Sequence, residues 1–176
     1  CSSDLLRFKP SMESKTQSKI TVEIHFYATP YHELLRWMDW RGILLKAHIN
    51  WLGQYRTHCS LRVNTGDLDL SYQATWNGLM SCSHNTINYN PVNIINVTSH
   101  VDPVIVLDNL EYLYKYAKFE RITLDTMLLL MRDKHKEVKD ITCTSFIADA
   151  LGIKPLRTEL LYPDRFYIAL LEWINA

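Results

Sequence analysis

Apolar and polar residues alternate through Ile20-Thr21-Val22-Glu23-Ile24-His25-Phe26-Tyr27, and this β-branched run predicts a strand. A second strand is expected over Tyr55 to Val63, with His58, Ser60 and Arg62 on one face and Cys59, Leu61 and Val63 on the other. That arrangement turns His58 toward a polar cleft and Cys59 toward the core. After the turn Asn64-Thr65-Gly66-Asp67, Leu68, Leu70, Tyr72 and Ala74 alternate with Asp69, Ser71 and Gln73 in a third strand. Two neighbouring strands therefore offer His58 and Gln73 on polar faces.

Helical spacing appears elsewhere. Pro30 precedes Tyr31 to Ala47, where the apolar positions predict one or two helical stretches broken near Gly42. Asn77 to Tyr89 reads as a turn-rich loop, and Val92 to Val97 and Val104 to Leu107 read as short strands. Asp108 is a candidate cap for a helix from about Asn109 to Phe119, in which Leu110, Leu113, Tyr114 and Ala117 share a face. Leu124 to Arg132 predicts another short helix, and Asp133 to Glu137 an exposed charged loop. Thr142 to Ile153 reads as a short helix closed by Gly152 and Pro155. The pattern predicts an α+β fold, a small antiparallel sheet packed against helices. Residues 1 to 19 read as a flexible polar arm and 20 to 176 as a single domain.

The last helix carries the candidate chemistry. Cys143 lies in its first turn, where exposed amide N–H groups and the helix dipole favour thiolate over thiol. A cysteine there is a candidate nucleophile, and His58 is the candidate base. The same helix places Cys143 on a stripe with Phe146, Ile147, Ala150 and Leu151, which also describes a core cysteine that only packs. For His58 the competing reading is a strand histidine bonded to a neighbour. Gln73 is the candidate to orient the imidazole, and Asp69 on the same face is an alternative.

Together, Thr57-His58-Cys59-Ser60-Leu61-Arg62-Val63, Ser71-Tyr72-Gln73-Ala74-Thr75-Trp76-Asn77-Gly78, Thr142-Cys143-Thr144-Ser145-Phe146-Ile147-Ala148 with Leu151-Gly152-Ile153, and Leu161-Tyr162-Pro163-Asp164-Arg165-Phe166 resemble the circularly permuted papain-like cysteine hydrolases of the NlpC type. In these proteins the histidine strand precedes the cysteine helix. The resemblance covers roughly residues 20 to 173. It implies a permuted papain-like fold and an amidase or peptidase that forms an acyl-enzyme, with Cys143 as nucleophile, His58 as base and Gln73 at the third position. Substrates so implied are cell-wall peptides or other amide and acyl groups, in bacterial or phage settings. Gln73 stands where an acid is common, and Thr144-Ser145 replaces an acidic residue usual after the cysteine. Those two departures favour an alternative, a catalytically silent papain-like domain that binds a partner or ligand.

Composition narrows the remaining classes. The chain has 176 residues, 47% hydrophobic and 22% charged, enough for one full core. Nineteen basic and nineteen acidic residues cancel without a basic cluster, so nucleic-acid binding is not expected. No apolar run is long enough for a transmembrane segment. Cys1, Cys59, Cys82 and Cys143 form no Cys-x-x-Cys pair, so reduced thiols are expected, and neither cofactor nor metal. Cys82-Ser83-His84 with His58-Cys59 has no standard ligand spacing. The sequence does not fix a localisation; cytoplasmic is the default expectation, and the Cys1 start is compatible with removal of a methionine before a small residue. The Cys1-Ser2-Ser3 start also resembles the lipidated first residue of a mature lipoprotein, which would tether the domain to a membrane.

Overall fold

The computed structural model describes residues 20–28, 47, 55–75, 78–87, 90–116, 142–153 and 162–176. Five strands run in the order β1 (Thr21–Tyr27), β2 (His58–Asn64), β3 (Asp69–Thr75), β4 (Gly78–Ser83) and β5 (Asn93–Asn96). They form one sheet ordered β4-β3-β2-β1-β5, and each adjacent pair is antiparallel. Among the described residues three helices follow the sheet: α1 (Pro103–Tyr116), α2 (Cys143–Leu151) and α3 (Pro163–Asn175). The class is α+β, as the residue pattern predicts.

Strand register decides which residues meet. Val22, Ile24 and Phe26 of β1 lie opposite Val63, Leu61 and Cys59 of β2, and Leu61 and Val63 lie opposite Tyr72 and Leu70 of β3. Because side chains alternate across a pleated strand, these residues share one face. The helices cover it. Val22, Ile24, Phe26, Cys59 and Leu61 are fully buried in one cluster with Val106, Leu110, Phe146, Ile147, Ala150, Phe166 and Leu170. Each buried Phe, Ile or Leu side chain contributes on the order of 1.5–3 kcal/mol of transfer free energy. Aromatic edges fix the helix positions. The Tyr167 ring stands edge-on to Phe26 at 5.2 Å, and Tyr114 bridges Tyr72 at 5.9 Å and Phe146 at 6.3 Å.

The opposite face is polar. Glu23, His25 and Tyr27 pair with Arg62, Ser60 and His58. Tyr27 Oη and Ser60 Oγ lie 3.1 Å apart, and Ser71 Oγ donates to Ser60 Oγ at 3.2 Å. Such pairing satisfies hydroxyls that are otherwise costly to bury. The β2–β3 hairpin turns where expected. Asn64 Oδ1 accepts the Gly66 N–H at 2.8 Å, and Gly66 takes φ 87°, a left-handed value that glycine adopts without a Cβ clash.

Several segments depart from the sequence reading, among them α3, a helix that the residue pattern does not predict. The loop expected over Asn77 to Tyr89 contains β4 and a short 3-10 turn, His84–Thr86. An edge strand needs only one paired side, and the Ser and Cys residues of Gly78-Leu79-Met80-Ser81-Cys82-Ser83 hide its alternation. The strand expected over Val104 to Leu107 is the first turn of α1, which begins at Pro103 rather than after Asp108. Proline suits the first helical turn because its missing N–H has no partner to lose there. Asp102 is the cap: its Oδ1 accepts the Val104 N–H at 2.9 Å. The β-branched triplet Val104-Ile105-Val106 mimics a strand, but Val106, Leu110 and Leu113 are buried at helical spacing. Leu68, expected in β3, lies in the preceding turn and is 44% exposed.

The expected arm 1–19, the stretch over Tyr31 to Ala47 apart from Ala47 itself, the helix over Leu124 to Arg132 and the loop over Asp133 to Glu137 lie outside the described residues. Among the described residues no helix is long and apolar enough to cross a membrane. Asp102→Ala removes the α1 cap and should lower stability by about 1 kcal/mol, read from urea unfolding followed by circular dichroism.

Candidate functional site

Local capping places Cys143 at the first position of α2. Thr142 is extended, at φ −96° and ψ 169°, and its Oγ1 accepts the Ser145 N–H at 3.1 Å. In return the Thr142 N–H donates to Ser145 Oγ at 2.8 Å, a capping box built from Thr and Ser. The Phe146 N–H takes the Thr142 carbonyl at 2.9 Å, the first helical bond. No hydrogen bond among the described residues occupies the Cys143 N–H, one of the donors a helix start leaves open. At the other end Gly152 adopts φ 72°, and the Ile153 N–H donates to the Ala148 carbonyl at 2.9 Å. Asn109 Nδ2 of α1 donates to the Ala150 carbonyl at 3.1 Å and ties the two helices together.

His58 is the first residue of β2, and the residues before it are clamped. Arg56 donates from Nη1 to Asp164 Oδ1 at 2.7 Å, and from Nε and Nη2 to Asn93 Oδ1 at 3.0 and 2.6 Å. Its guanidinium lies 3.7 Å from the centroid of the Tyr167 ring. The Asp164 carboxylate also accepts the backbone N–H groups of Tyr55 and Arg56. Thus α3 and β5 together hold the peptide that leads into His58. The Thr57 N–H then donates to the Tyr27 carbonyl at 2.9 Å and sets the strand against β1.

The structure brings Cys143, His58 and Gln73 together. His58 Nε2 and Gln73 Oε1 are 3.0 Å apart, so the amide oxygen accepts the ring N–H. The Tyr27 ring lies 6.1 Å from the imidazole, tilted by 29°. The Cys143 thiol interacts with the His58 imidazole and with the thiol and backbone N–H of Cys59. With Nε2 turned to Gln73, Nδ1 is the ring nitrogen left for the sulfur.

These contacts set the charge state. The Cys59 thiol hydrogen bond lowers the Cys143 pKa, burial opposes it, and the hydrogen bond and positive charge of His58 add to the lowering. The net result is a thiol held well below its ordinary value. For His58, burial disfavours the imidazolium. The hydrogen bond and charge of Cys143 outweigh burial, Gln73 assists, and the pKa is raised. Cys59 moves the other way: burial and the neighbouring Cys143 sulfur push its thiol well above the ordinary range, so it stays protonated and donates. Both shifts favour a thiolate–imidazolium pair over two neutral groups, with a neutral thiol beside it.

Asp69, the alternative orienter, is engaged elsewhere. Arg62 donates to its two carboxylate oxygens at 2.8 and 2.7 Å, and to Glu23 Oε2 at 2.9 Å. The Arg62 hydrogen bonds hold the Asp69 carboxyl below its usual value. Asp69 pairs with Asn64 at the far end of β2 from His58, which explains why shared strand parity does not bring it to the site. Among the described residues no three His, Cys, Asp or Glu side chains could hold a metal ion.

Two features of the site have little signature in the sequence. Cys59 reads as a core residue, and its only local hint is adjacency to His58. The Arg56–Asp164 clamp joins residues 108 positions apart. Comparison with protein-family models, with curated proteins and with solved structures gave no match. The site is therefore read from its own chemistry.

The paired shifts define a pH response. Because the Cys143 pKa is lowered, its alkylation by iodoacetamide should stay fast as pH falls below the range where an ordinary thiol titrates near 8.5, and should decline only in more acid solution. His58→Ala removes a donor and a positive charge, so the profile should shift to higher pH, as peptide mass spectrometry of alkylation rates would show.

Proposed function

We propose that the protein is a cysteine hydrolase of permuted papain-like architecture, an amidase or peptidase acting through an acyl-enzyme on Cys143. One observation carries the reading: a thiol at a helix N-terminus and an imidazole shift each other's pKa in opposite directions, and the imidazole Nε2 is held by an amide side chain. The chain order supports it, since the histidine strand precedes the cysteine helix.

In this mechanism the Cys143 thiolate attacks the substrate carbonyl carbon. The Cys143 backbone N–H stabilises the developing oxyanion together with the helix dipole. His58 gives its Nδ1 proton to the leaving amine, which departs and leaves a thioester on Cys143. His58, now neutral, takes a proton from water as the hydroxide attacks the thioester, and the acid product leaves with the thiolate restored. Gln73 keeps the imidazole in the orientation that presents Nδ1 to sulfur. Being neutral, it supports the imidazolium less than a carboxylate would. The substrate class is a peptide, amide or acyl group, cell-wall peptides included.

That neutral third residue also supports a second reading, a silent papain-like domain that binds a partner. Turnover separates the two. On a panel of peptide amides and acyl esters, the wild-type chain should hydrolyse at least one member and carry an acyl adduct on Cys143 by intact-protein mass spectrometry. Cys143→Ser should fall to background, and Gln73→Ala should lose roughly 10- to 100-fold in kcat/KM. Turnover that survives Cys143→Ser would overturn the proposal, and a fast-reacting Cys143 with no turnover on any substrate would favour binding.

A further inference from the structure

Gln73 holds His58 at one atom, and a single hydrogen bond fixes a point rather than a plane. The last torsions of histidine and glutamine are both broad, so the amide can follow the imidazole as that ring turns about its Cβ–Cγ bond. The plane of the ring needs a second restraint. On the polar face of the sheet, Tyr27 of β1 lies directly opposite His58 of β2. The two rings are stacked, with centroids 6.1 Å apart and planes 29° from parallel, within the range of offset aromatic pairs.

Tyr27 is itself restrained at both ends. Only 5% of it is exposed, and its Oη lies 3.1 Å from Ser60 Oγ, which accepts the Ser71 hydroxyl at 3.2 Å. At the other end its backbone carbonyl accepts the Thr57 N–H at 2.9 Å and the Thr57 hydroxyl at 3.3 Å, one residue before His58. Neither the phenol nor the peptide beside the histidine can shift without breaking these bonds. A tyrosine that only filled space would sit among apolar side chains. The rings that this one meets among the described residues are two imidazoles, His58 at 6.1 Å and His25 at 6.5 Å. Burial holds the Tyr27 phenol pKa above its ordinary value, so the hydroxyl stays protonated and serves as an anchor.

We infer that Tyr27 is a positioning residue for His58: its ring holds the plane of the imidazole that Gln73 holds at Nε2, so that Nδ1 keeps one direction. The inference adds a residue to the proposed hydrolase site and rests on the pairing of His58 with Cys143 assigned there. Tyr27 acts through the imidazole and carries no proton. Its effect is twofold. An imidazole that cannot tilt keeps its proton and charge directed at Cys143, and a small misplacement of such a group costs rate rather than binding. The negative face of the phenol ring also favours the charged imidazolium over the neutral ring.

The test compares the pH profile of Cys143 alkylation by iodoacetamide in the full wild-type chain with those of Tyr27→Leu, Tyr27→Phe and His58→Ala, each confirmed as folded by circular dichroism. Loss of the ring in Tyr27→Leu should move the midpoint up by roughly 0.4–1 pH unit, part of the way to the His58→Ala profile. Tyr27→Phe keeps the ring and loses the anchor at its tip, so it should recover most of that shift. On a substrate that the wild-type chain turns over, Tyr27→Leu should lose roughly 3- to 10-fold in kcat with KM little changed. A ring that only packs would lower stability and leave both profile and kcat in place. A Tyr27→Leu profile that coincides with wild type, while His58→Ala shifts, overturns this inference and leaves the hydrolase reading standing. A profile that ignores His58→Ala as well overturns both. Where Tyr27→Leu fails to fold, the wild-type chain decides by nuclear magnetic resonance: Overhauser contacts between the Tyr27 and His58 ring protons uphold the stack, and their absence overturns it.

Discussion

Packing of α2 against the sheet sets the position of everything chemical in this protein. Phe146, Ile147 and Ala150 are fully buried on the face made by Ile24, Leu61 and their neighbours, so the helix cannot slide or rotate without exposing them. Its N-terminus is thereby pinned against the start of β2. Capping by Thr142 and Ser145 then fixes which residue occupies the first helical position, and that residue is Cys143. Close packing and one reciprocal pair of hydrogen bonds convert an ordinary amphipathic helix into a device that aims a sulfur at an imidazole.

The electrostatics follow from that placement. A half-buried thiolate is costly unless donors surround it, and a thiol, an imidazole and a backbone N–H all lower the pKa of Cys143. Each donor comes from consecutive residues of one strand, His58 and Cys59. Because strand residues alternate across the sheet, two neighbours reach one sulfur only where the strand begins and the helix end meets its edge. A sulfur farther along β2 would meet one face and lose the partners of the other. The polar face answers a separate demand: Arg62, Glu23 and Asp69 satisfy one another, and Ser60, Ser71 and Tyr27 do the same, which leaves Gln73 for the imidazole.

How much of this was legible in the sequence depended on how local the signal was. The helix from Cys143 was readable because its cap, apolar stripe and terminal glycine all fall within a dozen residues. The faces of β2 and β3 were readable because alternation is a period of two. The edge strand β4 was hidden by its Ser and Cys content, and the start of α1 by a β-branched triplet whose helical role is set only by burial of Val106 against distant residues. Asp69 and Gln73 share a strand face in the sequence, yet Arg62 claims one and His58 the other, a choice that depends on strand register. Cys59 carried no signal beyond its neighbour, since its partner in space lies on a different element far along the chain.

The clamp on the peptide before His58 carries a consequence for the life of the chain before it is folded. Asp164 holds Tyr55 and Arg56 from α3, so the histidine is seated by a residue synthesised well after Cys143 itself. Until α3 has docked, the peptide that leads into His58 lacks this clamp. Non-local closure of this kind is slow compared with helix formation. The seat of the histidine is therefore completed by closure of the chain from α3, and not by the local structure of β2 or α2 alone.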